Sequence, residues 1–385
     1  MTRGGVNRRT SPGDPGRANP FSIDRRHMAR CLELAEVHRG RTSPNPLVGC
    51  VIVDRSGAVI AEGAHRGPGT DHAEVAALRT LGGKAPGATL YVNLEPCNHQ
   101  GRTPPCAPVV RDAGVARVVV GMADPIASHS GGIRLLRRAK IAVEVGVLGA
   151  ACARANLGFV TWATRQRPAY TLKAAITLDG KIATVAGESK WITGAAARDD
   201  VMRLRDHHDA VLVGIGTVLA DDPRLTARRP GARDPVRVVI DSRLRTPLTA
   251  SVVPGASGPR TIIVTGRQAP ARREAALVAR GAEVWRLPAH RDGRLDLRRL
   301  GEKLTEIGVL SVLVEGGGEI HAYLLAHGLV DELVLYLAPK IVGGPAKSWV
   351  GGAGIAGLAA AHAFVLDRDP VDLAGDLRIT AQAAR

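Results

Sequence analysis

The chain has few aromatic residues and no long apolar run. Aromatic side chains make up 3% of the 385 residues, which leaves little surface on which nucleic-acid bases could stack. No apolar stretch approaches the roughly 20 residues that a membrane-spanning helix needs. The N-terminus carries arginines but lacks the apolar segment of a secretory signal. These absences favour a soluble, cytoplasmic protein with neither a membrane nor a specific nucleic-acid partner.

Cysteine is also scarce. The five cysteines form an odd number without a regular framework, which in a reducing compartment speaks against structural disulfides. Cys31, Cys50 and Cys152 have apolar neighbours in the sequence and are interpreted as small core residues. Cys97 and Cys106 flank a basic, proline-rich segment instead, so they are better candidates for metal binding or catalysis.

Positive charge is in excess, with a formal net charge of +16. Such a charge is compatible with nucleic acid, with an anionic substrate, or with a surface that is merely rich in arginine. The basic residues are scattered along the chain, which argues against a nucleic-acid groove. A phosphorylated small molecule is therefore the favoured ligand.

Two α/β domains are predicted. Residues 1–20 are rich in Gly, Pro and Arg without periodicity, which indicates a disordered basic tail. Residues 21–147 contain five apolar strand patterns separated by helical patterns, beginning with a helix over 22–40. A connector is expected over 148–167. Residues 168–385 again alternate strands with helical or loop segments.

A histidine, a glutamate and two cysteines follow one another in an order that is typical of a catalytic zinc site. His72 and Glu74 stand near the start of a predicted helix, and Cys97 and Cys106 come later. Three protein ligands would leave the fourth tetrahedral position of zinc open for water. Glu74 would then move protons between that water and a leaving amine.

Three alternatives to this interpretation are open. His72 and Glu74 could cap a helix while the cysteines are ordinary buried thiols; a disulfide between Cys97 and Cys106 is less favoured still. A nucleic-acid deaminase would share the motif, but its two cysteines are separated by two residues. Here the eight residues NHQGRTPP separate them.

The second domain contains two glycine-rich stretches. Gly214 and Gly216 lack the third glycine of a dinucleotide fingerprint, so that motif is weak. The stretch LVEGGGEI is more informative, because a buried strand ends at Glu315 and Gly316–Gly318 precede a predicted helix. Close backbone approach and a helix N-terminus suit a phosphate or pyrophosphate. A simple glycine turn is the alternative.

Motifs in both halves resemble the bifunctional deaminase/reductase of riboflavin biosynthesis. The resemblance runs from about Ser22 to Gly344 and is carried by TSPNPLVGCVIV, HAEVAAL, LEPCNHQGRTPPC, LKAAITLDGKIA, SKWIT, TVLADDPRLTAR and VEGGGE. It implies a cytidine-deaminase-like α/β/α domain that binds Zn²⁺, followed by a dihydrofolate-reductase-like α/β domain that uses NADPH. The implied substrate is 2,5-diamino-6-ribosylamino-4(3H)-pyrimidinone 5′-phosphate, which is deaminated and then reduced from ribosyl to ribityl. A homo-oligomer is implied as well.

The resemblance also assigns roles to residues of the deaminase half. It implies that His72, Cys97 and Cys106 bind zinc and that Glu74 is the proton shuttle. Residues implied to contact the substrate are Asn45, His65, Arg102 and Asp124.

One segment of this half departs from the family pattern. In ADPIASHSGG, Ile126 replaces a polar residue that would contact the substrate, and the loop is one residue short. An alternative is therefore a reductase whose deaminase site is degenerate.

In the reductase half, the resemblance implies a substrate set and a cofactor set. The substrate set is Lys173, Ser189, Arg205, Leu225, Arg228 and Glu315. The cofactor set is Ala175, Trp191, Thr217, Asp221, Ser242, Gly317, Gly318, Glu319, Ile320, His321, Ala322 and Tyr323. The sequence leaves open whether Lys173 or Asp221 assists proton delivery to the sugar.

Overall fold

The computed structural model describes residues 20–101, 104–255 and 258–384. The contacts between residues divide the chain into two units. The described part of unit 1 comprises residues 20–37 and 47–155, and that of unit 2 comprises residues 38–46 and 156–384. The predicted tail lies outside the described residues, apart from Pro20. Among the described residues, no helix is long and apolar enough to cross a membrane.

Unit 1 is a mixed five-stranded sheet with helices packed against it. Its strands are β1 (Gly49–Val53), β2 (Val59–Ala64), β3 (Thr89–Leu94), β4 (Arg117–Met122) and β5 (Ala142–Val145). Its helices are α1 (Pro20–Glu36), α2 (Ala73–Thr80), α3 (Cys106–Asp112), α4 (Gly132–Arg138) and α5 (Gly149–Ala155). The sheet order is β2-β1-β3-β4-β5, with β3, β4 and β5 parallel and β1 antiparallel to its two neighbours. The five predicted strands are thus confirmed.

Helix α1 packs on this sheet through the apolar positions that its sequence places at helical spacing. Met28, Cys31 and Ala35 are almost completely buried. The helix begins at Pro20 rather than at the expected Ser22, since proline is tolerated in a first helical turn. It ends at Glu36, before the expected Gly40, whose positive φ of 76° does not continue a right-handed helix.

A buried carboxylate joins α1 to the sheet. Asp24 accepts hydrogen bonds from the hydroxyl of Tyr91 on β3 and from two nitrogens of the Arg117 guanidinium on β4, each at 2.8 Å. The guanidinium lowers the pKa of Asp24 despite its burial. Because only 5% of the Asp24 side chain is exposed, both of its oxygens depend on these donors.

Unit 2 contains a larger, mainly parallel sheet. Its strands are β6 (Ala169–Thr177), β7 (Ala210–Gly214), β8 (Val236–Ile240), β9 (Thr261–Gly266), β10 (Glu283–Leu287), β11 (Ser311–Val314), β12 (Val330–Ala338), β13 (Phe364–Leu366), β14 (Val371–Leu373) and β15 (Asp376–Ala383). Its helices are α6 (Leu157–Arg165), α7 (Ala195–His207), α8 (Ile215–Asp221), α9 (Ala271–Val278), α10 (Leu297–Glu306) and α11 (Gly318–Ala326), with a 3₁₀ turn at Leu358–Ala360. The predicted connector over 148–167 contains α5 of unit 1 and α6 of unit 2.

The parallel strands of unit 2 bring the loops that follow them to the same end of the sheet. The order is β10-β9-β8-β7-β11-β6-β12-β15-β13, and the strands from β10 to β12 are parallel. The connections diverge at the β7–β11 pair, where ligands commonly bind outside the carboxyl ends of the strands. Strands β13, β14 and β15 were not predicted. Strands β13 and β14 each pair with β15, and β15 pairs with β12, all in antiparallel fashion.

We predict that Asp24→Asn destabilises unit 1 by about 2 to 3 kcal/mol, because the substitution leaves the donors of Arg117 and Tyr91 without a carboxylate. All five cysteines belong to unit 1 and all four tryptophans to unit 2. Labelling of the buried thiols during urea unfolding therefore reports on unit 1, and tryptophan fluorescence reports on unit 2.

In Asp24→Asn, the urea midpoint measured by thiol labelling is expected to fall, whereas the midpoint measured by tryptophan fluorescence is expected to stay unchanged. The matched control is Glu33→Gln, which removes an exposed ion pair with Arg30 and is expected to cost at most about 0.5 kcal/mol. Equal midpoints for Asp24→Asn and the control would contradict the anchoring role of Asp24.

Candidate functional site

Three side chains of unit 1 converge as metal ligands. His72 precedes α2, Cys97 follows β3, and Cys106 begins α3. The Nδ1 atom of His72 lies 3.0 Å from Sγ of Cys106 and 3.6 Å from Sγ of Cys97. One ligand atom from each of the three residues lies within 4.8 Å of the others. The spacing-based prediction therefore corresponds to one compact donor set.

The chemistry of this donor set fits zinc. One imidazole and two thiolates are borderline-soft ligands, and three protein ligands leave one tetrahedral position open. The backbone N–H of Cys106 donates to Sγ of Cys97 at 3.4 Å. The Cys106 thiol, the His72 imidazole and this backbone N–H together lower the pKa of Cys97 to about 4. The neighbouring Cys97 and burial raise the pKa of Cys106. These contacts favour the thiolate form of Cys97.

Glu74 stands in the first turn of α2, two residues after His72. Its side chain is almost completely buried, and burial raises its pKa to about 7. A carboxyl group with such a pKa exchanges protons readily near neutral pH. The helix position of Glu74 therefore supports the shuttle role that the sequence analysis gave it.

His65 lies beside this cluster. Its ring meets that of His72 edge to face, with the centroids 5.3 Å apart, and its Nδ1 lies 3.0 Å from the carbonyl oxygen of Asp71. Since His65 is almost fully buried, its ring is held in a fixed orientation. The predicted substrate contact of His65 is compatible with this position and remains a prediction.

The loop that carries Asp124 and Ile126 is fixed by Glu95, a residue that the sequence analysis did not single out. The buried Glu95 carboxylate accepts backbone N–H groups from Gly131 at 2.9 Å, Ile133 at 3.1 Å and Asp124 at 3.2 Å. Asp124 in turn accepts the N–H of Ile126 at 2.8 Å, and burial raises its pKa. The position of Glu95 in LEPC, two residues before Cys97, was the signal available in the sequence.

The other two predicted contacts of the deaminase are not assigned by the structure. Arg102 lies outside the described residues. Asn45 belongs to the segment 38–46, which is part of unit 2. Both assignments remain predictions.

In unit 2, Glu315 is the centre of a charged cluster at the carboxyl end of β11. It accepts two hydrogen bonds from Arg205 of α7, at 2.6 and 2.9 Å, and Nζ of Lys173 on β6 lies 3.7 Å away. Burial alone would raise the pKa of Glu315, but Arg205 and Lys173 lower it to about 2. Burial also lowers the pKa of Lys173. Glu315 is therefore a permanent anion.

This cluster forms part of the wall of a cleft of about 420 Å³. Four predicted substrate residues and one predicted cofactor residue line it: Lys173, Arg205, Arg228, Glu315 and Trp191. Arg205 also donates to the carbonyl oxygen of Thr226 at 3.0 Å, so much of its guanidinium is engaged within the protein. Arg228 has no carboxylate partner among the described residues; its Nη2 contacts the sulfur of Met202 at 3.3 Å.

The remaining predicted substrate residues lie around the same loops. Ser189 donates to Asp221 at 3.3 Å, which pairs a predicted substrate contact with a predicted cofactor contact. Leu225 is almost completely buried and has a φ of 57°. Trp191 is 65% exposed, and the Arg198 guanidinium lies 4.6 Å from the centre of its ring. Solvent can thus reach the Trp191 ring.

Glycines allow β7 and β11 to approach closely where the connections diverge. A methyl group added at Gly316 would lie 2.7 Å from both the nitrogen of Gly214 and Cα of Val213. A methyl group added at Gly317 would lie 4.0 Å from the hydroxyl of Thr217. The predicted cofactor residues Thr217 and Gly317 are therefore neighbours, while Ala175 lies on the nearby strand β6.

Several predicted cofactor residues of α11 have partners within the protein. Glu319 accepts from Arg294 at 2.8 Å and from the N–H of Gly352 at 3.2 Å. Nδ1 of His321 lies 2.8 Å from the Trp349 carbonyl oxygen, and the Tyr323 hydroxyl lies 2.9 Å from His290. The other members of this set are placed as follows: Gly318 packs on Gly351, Ile320 on Gly214, and Ala322 near Gly352. Contact of these side chains with a cofactor remains a prediction.

Comparison with known proteins supports the predicted domain types of both halves of the chain. Residues 21–122 match the cytidine and deoxycytidylate deaminase zinc-binding region, and residues 168–371 match the RibD C-terminal domain. The riboflavin biosynthesis protein RibD of Actinobacillus pleuropneumoniae is 43% identical over 343 residues, which are 89% of this chain and 90% of that protein. The Escherichia coli RibD is 41% identical over 340 residues, 84% of this chain and 90% of that protein.

Solved structures agree with these matches. The structure of Acinetobacter baumannii RibD has a TM-score of 0.81 and 36% identity, covering 95% of this chain and all of that one. A Thermotoga maritima diaminohydroxyphosphoribosylaminopyrimidine deaminase/5-amino-6-(5-phosphoribosylamino)uracil reductase has a TM-score of 0.82 and 33% identity over the same shares. The predicted family, fold class and cofactors, zinc and NADPH, are confirmed. The chain belongs to the RibD family of riboflavin biosynthesis enzymes, which combine a zinc-binding deaminase domain and a reductase domain in one polypeptide.

Proposed function

We propose that unit 1 removes the ring amine of 2,5-diamino-6-ribosylamino-4(3H)-pyrimidinone 5′-phosphate and that unit 2 then reduces the ribosyl side chain to ribityl. The observation that carries this proposal is the convergence of His72, Cys97 and Cys106, with Glu74 two residues from the histidine. The printed name of the T. maritima neighbour describes the same two activities. The charged cleft of unit 2 supports a phosphorylated substrate.

For deamination, the residues of unit 1 divide into ligands and a proton carrier. Zinc, when bound by His72, Cys97 and Cys106, supplies the Lewis acidity that activates water. Glu74 takes the proton of the attacking water and passes it to the departing amine, which leaves as ammonia. Burial suits Glu74 to both tasks, because a pKa of about 7 allows it to act as base and then as acid.

For reduction, the cleft of unit 2 has to hold a charged substrate and deliver a proton. NADPH, when bound, supplies the hydride that reduces the open carbonyl form of the sugar. Glu315 is paired with Arg205 and is therefore unsuited to proton transfer, but it holds Lys173 in the cleft. Burial lowers the pKa of Lys173 and so makes its ammonium group the better acid. We assign proton donation to Lys173 rather than to Asp221.

We predict that Glu74→Gln lowers deamination by about 10²- to 10⁴-fold, because the amide cannot carry the proton. Zinc content, measured by elemental analysis, should stay at that of the wild type. Reduction of substrate that has already been deaminated should also stay unchanged. Glu62→Gln, on β2 of the same unit, is the matched control and should deaminate normally.

The same assay on the wild-type protein shows whether the deaminase site, with Ile126 in its loop, is functional. If wild-type protein reduced the deaminated substrate but left the diaminopyrimidinone intact, the alternative of a reductase with a degenerate deaminase site would be correct. Deamination by the wild type excludes that alternative.

We predict that the reductase loses activity at high pH and that Lys173 causes the loss. The ammonium form is the donor, so the turnover rate falls as pH rises through the pKa of Lys173. Since burial lowers this pKa, the fall should begin below the range of an ordinary lysine. Lys173→Arg should shift the fall to higher pH, whereas Asp221→Asn should leave it in place. The reverse result for these two variants would transfer the role to Asp221.

We also propose that the chain forms a homo-oligomer through its C-terminal strands. Strand β13 forms one edge of the large sheet, and its residues Val365 and Leu366 are 63% and 60% exposed. An exposed apolar edge strand pairs readily with a second copy. Val365→Lys should therefore lower the mass measured by light scattering, whereas Val278→Lys on α9 should not. A wild-type mass equal to one chain at micromolar concentration would contradict this proposal.

A further inference from the structure

Two loops in unit 2 carry arginines that the sites described above do not use. The loops follow β8 and β9, which are neighbouring parallel strands, and the N–H of Gly266 donates to the Ser242 carbonyl oxygen at 3.3 Å. Arg243, Arg245 and Arg267 are exposed. Within residues 20–101, 104–255 and 258–384, none of the three guanidinium groups pairs with a carboxylate. The two loops therefore present three positive charges, without a carboxylate partner among the described residues, at the carboxyl ends of β8 and β9.

The first of these loops is held in shape from inside. Asp241 is completely buried, and one of its oxygens accepts both the N–H and the hydroxyl of Thr246, each at 2.7 Å. Arg273 of α9 donates to the carbonyl oxygens of Leu244 at 3.1 Å and of Thr246 at 2.6 Å. These hydrogen bonds hold the loop in shape through Asp241 and Arg273. The guanidinium groups of Arg243 and Arg245 are not needed for this and can bind a ligand.

The two loops lie on the same side of the sheet as the glycine-rich crevice and close to it. Strand β8 is next to β7, and the crevice with Thr217 and Gly317 lies between β7 and β11. Neighbouring strands are about 4.8 Å apart, so the ends of β8 and β9 lie roughly one and two strand spacings beyond β7. A dinucleotide whose pyrophosphate occupies the crevice would reach them with its adenosine half.

We propose that Arg243, Arg245 and Arg267 bind the 2′-phosphate on the adenosine ribose of the reductase cofactor and thereby select NADPH over NADH. This inference rests on the proposed reduction in unit 2. Arginine is the side chain that accommodates a 2′-phosphate, whereas a carboxylate facing the ribose favours NADH. The Asp241 carboxylate faces Thr246 within the protein, and the exposed residues of both loops include no acid.

The direct test is the dissociation constant of each dinucleotide, measured by titration calorimetry without substrate. Wild-type protein should bind NADPH more tightly than NADH. The double variant Arg243→Ala and Arg267→Ala should weaken NADPH binding by about 10- to 100-fold, since charge-assisted hydrogen bonds to the phosphate are lost, and should leave NADH binding unchanged. Arg245→Ala should have the same selective effect to a smaller extent.

The matched control is Arg280→Ala, which removes an exposed arginine just before β10, at the amino-terminal ends of the parallel strands and so away from the two loops. It should change neither constant. An equal loss for NADPH and NADH, or no loss for NADPH, would overturn the proposal while leaving the reductase function intact.

A smaller probe separates failure of this proposal from failure of the proposed function. 2′,5′-ADP carries the 2′-phosphate without the nicotinamide, and 5′-AMP lacks both. If wild-type protein bound neither dinucleotide, the proposed reduction would fail. Preferential binding of 2′,5′-ADP over 5′-AMP, abolished in the double variant, would still support the arginine site. Equal binding of the two probes by the wild type would overturn it.

Discussion

A carboxylate buried in a protein has to be matched by hydrogen-bond donors, and this constraint organises both units of the chain. Asp24 joins α1 to the sheet of unit 1 through Tyr91 and Arg117. In unit 2, the buried Asp331 accepts from Arg167 at 2.6 Å and from the N–H of Tyr170 at 3.0 Å. The same principle shapes the loop that carries Asp124, because the buried Glu95 carboxylate accepts three backbone N–H groups there.

The two active sites use this constraint in opposite ways. Glu74 is buried and, within the part of the chain that the structure describes, forms no ion pair with a lysine or arginine, so burial raises its pKa to about 7 and the carboxyl group can exchange protons. The Glu315 side chain is also largely buried but is held by Arg205 and Lys173, so its pKa falls to about 2 and it serves as a fixed negative charge. The same type of residue is thus a proton carrier in one unit and an electrostatic anchor in the other, because their neighbours differ.

Local sequence patterns allowed the strands of unit 1 and the zinc ligands to be predicted. The five strands of unit 1 are short apolar runs, and His72, Cys97 and Cys106 carry a recognisable order of donor types. Contacts between distant segments are not visible in such patterns. For that reason Glu95, whose partners are 29 to 38 residues away, could not be identified from the sequence. The engagement of Arg205 by Glu315 and Thr226 could not be anticipated either. Strands β13, β14 and β15 were missed as well, because pairing stabilises them: β13 and β14 pair with β15, which in turn pairs with β12.

The central claim is that one chain carries out deamination and reduction in sequence, and the masses of the products test it most directly. Purified, zinc-loaded protein would be incubated with the diaminopyrimidinone ribosyl phosphate, first alone and then with NADPH. We expect a gain of about one mass unit without NADPH, from exchange of amine for oxygen, and a further gain of about two with it. A gain of two units without the first gain of one would show that the chain does not carry out the deamination.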